Sequence, residues 1–151
     1  MVGALSSPGL VLAAEDEESD AVLLQLAFER AGLGKNLVIV RDGQEAVDYL
    51  KRCVTHSKRG SDPLPCLLLL DLKMPRMTGF DVLVWLGDKP QFKDLPVVVL
   101  SSSSHESDIQ RARELGARDY HIKPHGMGQF VQLIKDLTAS SQTVLTAGKA
   151  G

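Results

Sequence analysis

The stretch Leu67-Leu68-Leu69-Leu70-Asp71-Leu72-Lys73-Met74-Pro75-Arg76-Met77-Thr78-Gly79 decides the fold. Its leucine run is too short for a helix and shows no apolar–polar alternation. It therefore reads as a strand buried on both faces, the pattern of a central strand in a parallel sheet. The run closes on Asp71, and the residues from Met74 to Gly79 carry the Pro and Gly of a turn. Open α/β sheets take their ligands outside the carboxyl ends of the strands, so Asp71 is predicted at the mouth of such a site.

Working outward from this strand, further apolar runs lie at Leu10–Ala14, Leu37–Val40 and Val97–Leu100, Asp119–Ile122 reads as a short fifth strand, and Cys66 opens the run at Leu67. Helical patterns separate them. The first spans Ala21–Ala31, with Val22, Leu23, Leu26 and Ala27 expected on its buried face and Leu24 and Phe28 off it. Asp42 with Glu45, Thr78 with Asp81, and Ser103 with Glu106 each carry the spacing of a capping box at a helix start. A last helix carries Phe130, Val131, Leu133, Ile134 and Leu137. Strand–helix alternation of this kind requires parallel strands with right-handed crossovers and helices on both faces. The expected fold is α/β, a flavodoxin-like doubly wound sheet of five strands in the order 2-1-3-4-5 with five helices. Residues 1–9 read as a flexible lead-in, 10–138 as the domain, and 139–151 as a Ser/Thr/Gly/Ala-rich tail.

Composition narrows the function. The chain has 151 residues, a net charge of −2 and 44% apolar residues, which suits one globular domain and gives no field that favours nucleic acid. No apolar segment reaches the roughly 20 residues of a membrane span. The start lacks the basic region of a signal peptide, so a cytoplasmic protein is expected. Cys53 and Cys66 lack metal-ligand spacing and read as buried or free thiols in a reducing compartment. The four histidines show no such spacing either.

Chemistry-bearing residues follow four of the predicted strands. Glu15-Asp16 follows the first, Asp71 the third, Ser101 the fourth and Lys123-Pro124 the fifth. Acids, a hydroxyl and an ammonium can thus converge on one sheet edge. With Pro75 and Gly79 beyond Asp71, this set resembles the receiver domain of two-component response regulators, over about Leu10 to Leu137. The loop at 55–65 further resembles the single-domain regulators that pair with bacterial phytochromes.

The resemblance implies a phosphoacceptor at Asp71, a carboxylate that would attack a phosphohistidine on a sensor histidine kinase or phosphotransfer protein. Both reacting groups are anionic, so Mg²⁺ is implied between them. Its expected ligands are Asp16, Asp71, the backbone carbonyl of Lys73, and Glu15 through water. Lys123 would balance the charge, and the peptide before Pro124 is expected to be cis. Ser101 and Tyr120 would form the switch, with Tyr120 moving from an exposed to a buried position as the protein-binding face changes. A downstream protein target and homodimerisation through the last helices are the implied contacts.

Three other readings compete. An aspartyl phosphohydrolase would carry a second acid two residues after its nucleophile, where this chain has Lys73, so turnover of small phosphate esters is not expected. A flavin carrier would need a phosphate cradle after the first strand, where this chain has repelling acids. A phosphorylation-independent pseudo-receiver used as an interaction module is the remaining alternative.

Overall fold

The computed structural model describes residues 9–55 and 63–150. Five strands form one sheet: β1 (Val11–Ala14), β2 (Leu37–Val40), β3 (Leu67–Leu70), β4 (Val97–Ser101) and β5 (Asp119–Ile122). Their order is β2-β1-β3-β4-β5, and every adjacent pair is parallel. Ala14 lies level with Leu70, Leu70 with Val99, and Ser101 with Ile122. The residues that leave the strands therefore emerge on one edge. Strands β1, β3 and β4 are buried at every position, as an interior place in a two-faced sheet demands.

The helices are α1 (Glu18–Arg30), α2 (Gly43–Thr55), α3 (Gly79–Gly87), α4 (Glu106–Glu114) and α5 (Met127–Ala150). Alternate strand residues feed two cores. Leu12, Leu68, Leu70 and Val99 meet Ala46, Leu50, Val82 and Leu83 of α2 and α3, and the same core reaches Ala112 of α4. Val11, Leu67, Leu69 and Val98 meet α1 and α5 through Leu24, Phe28, Phe130 and Ile134. The sheet order and helix number agree with the sequence expectation.

Several local expectations are corrected. In α1 it is Leu24 and Phe28 that are buried, with Ala21 and Ala27, whereas Val22 is 61% and Leu23 44% exposed. The run from Ala21 to Phe28 is apolar nearly all round, so its periodicity leaves the buried face open. Packing against β1 and α5 selects it. The box at α3 forms: Thr78 Oγ1 accepts from Asp81 N at 3.2 Å, and Asp81 Oδ2 accepts from Thr78 N at 3.0 Å. At α2, Asp42 Oδ1 accepts from Glu45 N at 2.8 Å, but Glu45 returns its carboxylate to Arg41 N. No box forms at α4, because that helix starts at Glu106 and His105 stands at the cap. Ser103 lies outside it, where its hydroxyl accepts from His105 N and donates to Asp108 at 2.7 Å. The backbone of α5 continues to Ala150, through the stretch composition reads as a tail. Residues 1–8 of the expected lead-in lie outside the described residues.

Two glycines allow the loops near Asp71 to close. Gly79 N donates to Leu72 O at 3.0 Å, and a Cβ on Gly79 would sit 2.3 Å from Asp71 O. Gly43 N donates to Met77 O at 3.2 Å, and a Cβ there would sit 2.3 Å from that oxygen. Arg76, between them in space, has a φ of 63°, a left-handed conformation that a non-glycine residue adopts at a cost of about 1 kcal/mol. Its guanidinium pairs with the buried Asp42 carboxylate, which ties the β3–α3 loop to the start of α2.

Candidate functional site

Asp71 leaves β3 with its N–H on Ala14 O at 3.2 Å, so the sheet still holds its backbone. Its side chain is buried and both oxygens have partners. Oδ1 accepts from Leu72 N at 2.8 Å, and Oδ2 faces Lys123 Nζ at 3.4 Å. Glu15 leaves β1 in the same way, with its N–H on Val40 O at 2.9 Å. The carboxylates of Glu15, Asp16 and Asp71 each offer an oxygen, and these oxygens all lie within 4.8 Å of one another. Hard divalent cations hold oxygen ligands at about 2.0–2.6 Å, so this spacing fits one ion.

Lys123 enters from β5, whose end is tied to β4 by Lys123 N donating to Ser101 O at 2.9 Å. Its Nζ lies 2.7 Å from Glu15 Oε1, 2.8 Å from Asp20 Oδ2 and 3.4 Å from Asp71 Oδ2. Burial alone would lower the pKa of this ammonium. The hydrogen bonds to Asp20 and Glu15 and the charges of Asp71 and Glu15 outweigh it, so the pKa rises and the lysine stays charged. Burial has the opposite effect on Glu15. It raises that carboxyl, Lys123 draws it back, Asp71 raises it again, and the balance stands at about 7. The peptide between Lys123 and Pro124 is trans, not cis as expected, and the ammonium reaches all three acids from that geometry.

Ser101 is buried, and its Oγ accepts from Ser103 N at 3.1 Å. Tyr120 is also buried, with its hydroxyl donating to Ser103 O at 2.8 Å. Of the two positions expected for this ring, the inward one is present. Lys73 lies exposed in the loop after Asp71. Leu24 and Phe28, expected off the buried face of α1, are core residues. His121 pairs with Asp119, and among the described residues no histidine joins the acidic group. Cys53 is buried with its thiol donating to Pro63 O at 3.4 Å, Cys66 is half-buried, and the two form no disulfide.

The sequence reading missed Asp20. It sits in the first turn of α1 close to Glu17 and Glu18, acids that the helix dipole already accounts for. Nothing in its spacing separated it from them. Only the folded chain shows its carboxylate on Lys123.

Residues 11–135 match the family model described as response regulator receiver domain. A probable methanogenesis regulatory protein, FilR2 of Methanothrix harundinacea, is 32% identical over 86% of this chain and 81% of its own length. The response regulator Rcp1 of Synechocystis is 30% identical over 86% of each chain, and its Mn²⁺-bound structure superposes with a TM-score of 0.69 over 86% of this chain and 91% of that one. The phosphorylated cyanobacterial phytochrome response regulator RcpA, at 33% identity, superposes with a TM-score of 0.74 over 87% of this chain and 91% of that one. With strand order, acidic edge and sequence in agreement, this chain belongs to the response regulator receiver domain family.

Proposed function

We propose that the chain is a phosphoacceptor switch in which Asp71 takes a phosphoryl group from a phosphohistidine of a sensor kinase or phosphotransfer protein. The observation that supports this most is the Asp71 carboxylate lying within one ion's reach of Glu15 and Asp16, with the Lys123 ammonium beside it. In the step, a bond forms between an Asp71 oxygen and phosphorus while the phosphorus–nitrogen bond breaks. The electron pair goes to the imidazole nitrogen, which takes up a proton. Glu15, Asp16, Asp71 and the carbonyl of Lys73 would hold Mg²⁺. Bound there, that ion neutralises the anions that must approach each other. Lys123 then balances the third phosphoryl oxygen. The likeness to the phytochrome response regulator RcpA supports a phytochrome-type kinase as donor. Incubating the protein with phosphoramidate should give a base-labile adduct of one phosphoryl group that requires Mg²⁺. An adduct that forms equally in EDTA would overturn the assignment.

Glu15 gives the metal site a pH dependence. Below pH 7 its carboxyl is mostly protonated, and a cation must displace that proton to use the oxygen. Above pH 7 the proton is already gone. Mg²⁺ affinity should therefore rise by roughly tenfold between pH 6 and 8, measured by calorimetric titration, and the slope should vanish in Glu15→Gln. The metal-free fold shows the complementary trend. A carboxyl raised in the folded state costs stability as pH climbs from about 4.3, its unfolded pKa, towards 7.

The output would run through Ser101 and Tyr120. A phosphoryl oxygen competes for the Ser101 hydroxyl, and Ser101 Oγ also accepts the Ser103 N–H. Ser103 O in turn holds the Tyr120 hydroxyl. Displacement at Ser101 thus reaches the β4–α4 segment and the α4–β5–α5 face that would meet a target. Ser101→Ala should keep the Mg²⁺-dependent adduct but lose most of the chemical-shift change at Tyr120 on phosphorylation. A full Tyr120 response in that variant would exclude this route.

A further inference from the structure

We infer that Asp20 is a positioning residue for Lys123, one that keeps the ammonium over the phosphoacceptor once a cation has occupied the acidic site. The inference rests on the reading of Asp71 as phosphoacceptor and adds a residue to it. Lys123 Nζ touches three carboxylates, two of them closely: Glu15 Oε1 at 2.7 Å and Asp20 Oδ2 at 2.8 Å. The Asp71 oxygen is farther, at 3.4 Å. Glu15 and Asp71 also belong to the group whose oxygens can share one ion, and Asp20 does not. A cation that draws on Glu15 and Asp71 therefore competes with the lysine for two of its three partners. It also repels the ammonium directly, since both are positive.

What remains is Asp20. It projects from the first turn of α1 and stands outside the acidic group, and its side chain is 34% exposed against 6% for Glu15. A carboxylate placed there opposes the repulsion and holds Nζ at the rim of the site. The long lysine side chain would otherwise gain rotamer freedom. The Lys123 backbone is held separately, its N–H donating to Ser101 O. Fixing Nζ is thus the work of the Asp20 carboxylate, and Lys123 rather than Asp20 meets the phosphoryl oxygen.

Two readouts test this. The first needs no phosphorylation: the side-chain ammonium signal of Lys123 in a ¹H–¹⁵N spectrum, assigned by its loss in Lys123→Arg. Held ammonium protons exchange slowly with water and free ones rapidly. With saturating Mg²⁺, the signal should persist in the wild type, vanish in Asp20→Asn and return in Asp20→Glu. The second is the rate of adduct formation from phosphoramidate. Asp20→Asn should lower the maximal rate by about tenfold while the half-saturating Mg²⁺ concentration stays within twofold, and Asp20→Glu should restore most of the rate. A Lys123 signal in Asp20→Asn that matches the wild type with Mg²⁺ overturns the inference, as does an unchanged maximal rate. A wild type that forms no adduct would remove the phosphoacceptor reading, while the ammonium signal would still report whether Asp20 holds the lysine.

Discussion

Asp71→Asn is expected to fold normally and to form no phosphoryl adduct, a loss of at least ~100-fold in the rate of labelling. Asparagine has the shape of aspartate but lacks the anionic oxygen that would attack phosphorus. The Oδ1 that accepts Leu72 N survives the exchange, so the turn after β3 keeps its hydrogen bond. Removing one negative charge from a site crowded with carboxylates also relieves repulsion in the absence of metal. The melting temperature should accordingly stay level or rise. Intact-mass measurement after incubation with phosphoramidate and Mg²⁺ reads the outcome directly. Labelling equal to the wild type would move the acceptor elsewhere and undo the proposed function.

Gly79→Ala should be the most damaging single methyl in the α3 region. The added Cβ would lie 2.3 Å from Asp71 O and 2.8 Å from Leu72 Cα. Both are backbone atoms that no rotamer change can move aside. Relief requires α3 to shift away from the end of β3, which breaks the Gly79 N to Leu72 O bond and disturbs the acceptor. A destabilisation of roughly 2–4 kcal/mol is expected by urea denaturation, together with slower labelling. Gly87→Ala, at the other end of the same helix, meets nothing within 4 Å. It should be neutral or stabilising by up to about 1 kcal/mol, because alanine favours the helix. Equal stabilities of the two variants would show that the close approach at Gly79 has no energetic weight.

The fold was legible because its information is carried by short apolar runs and the acids and lysine that end them. Leu67–Leu70 could only be an interior strand, and the parallel register then aligned Glu15, Asp71, Ser101 and Lys123 without further information. Features set by packing between helices were not legible. The buried face of α1 depended on β1 and α5, and the role of Asp20 depended on a lysine 103 positions away in sequence. The cap at α4 failed because Ser103 found a better use in the loop, bonded to Asp108 and holding the segment that receives Tyr120.

The Arg76–Asp42 pair and the close approach of Gly43 to Met77 give Asp71 two unlike flanks. On the β2 side, the turn beyond Asp71 is braced by a guanidinium on a buried acid and by backbone in direct contact. On the β4 side, the side-chain ties of the neighbouring segment run through the hydroxyls of Ser101, Ser103 and Tyr120. A perturbation at Asp71 therefore meets an anvil on one hand and a latch on the other. In the proposed switch, motion that follows would travel toward α4 rather than toward α2, which would make the molecule a one-way transmitter.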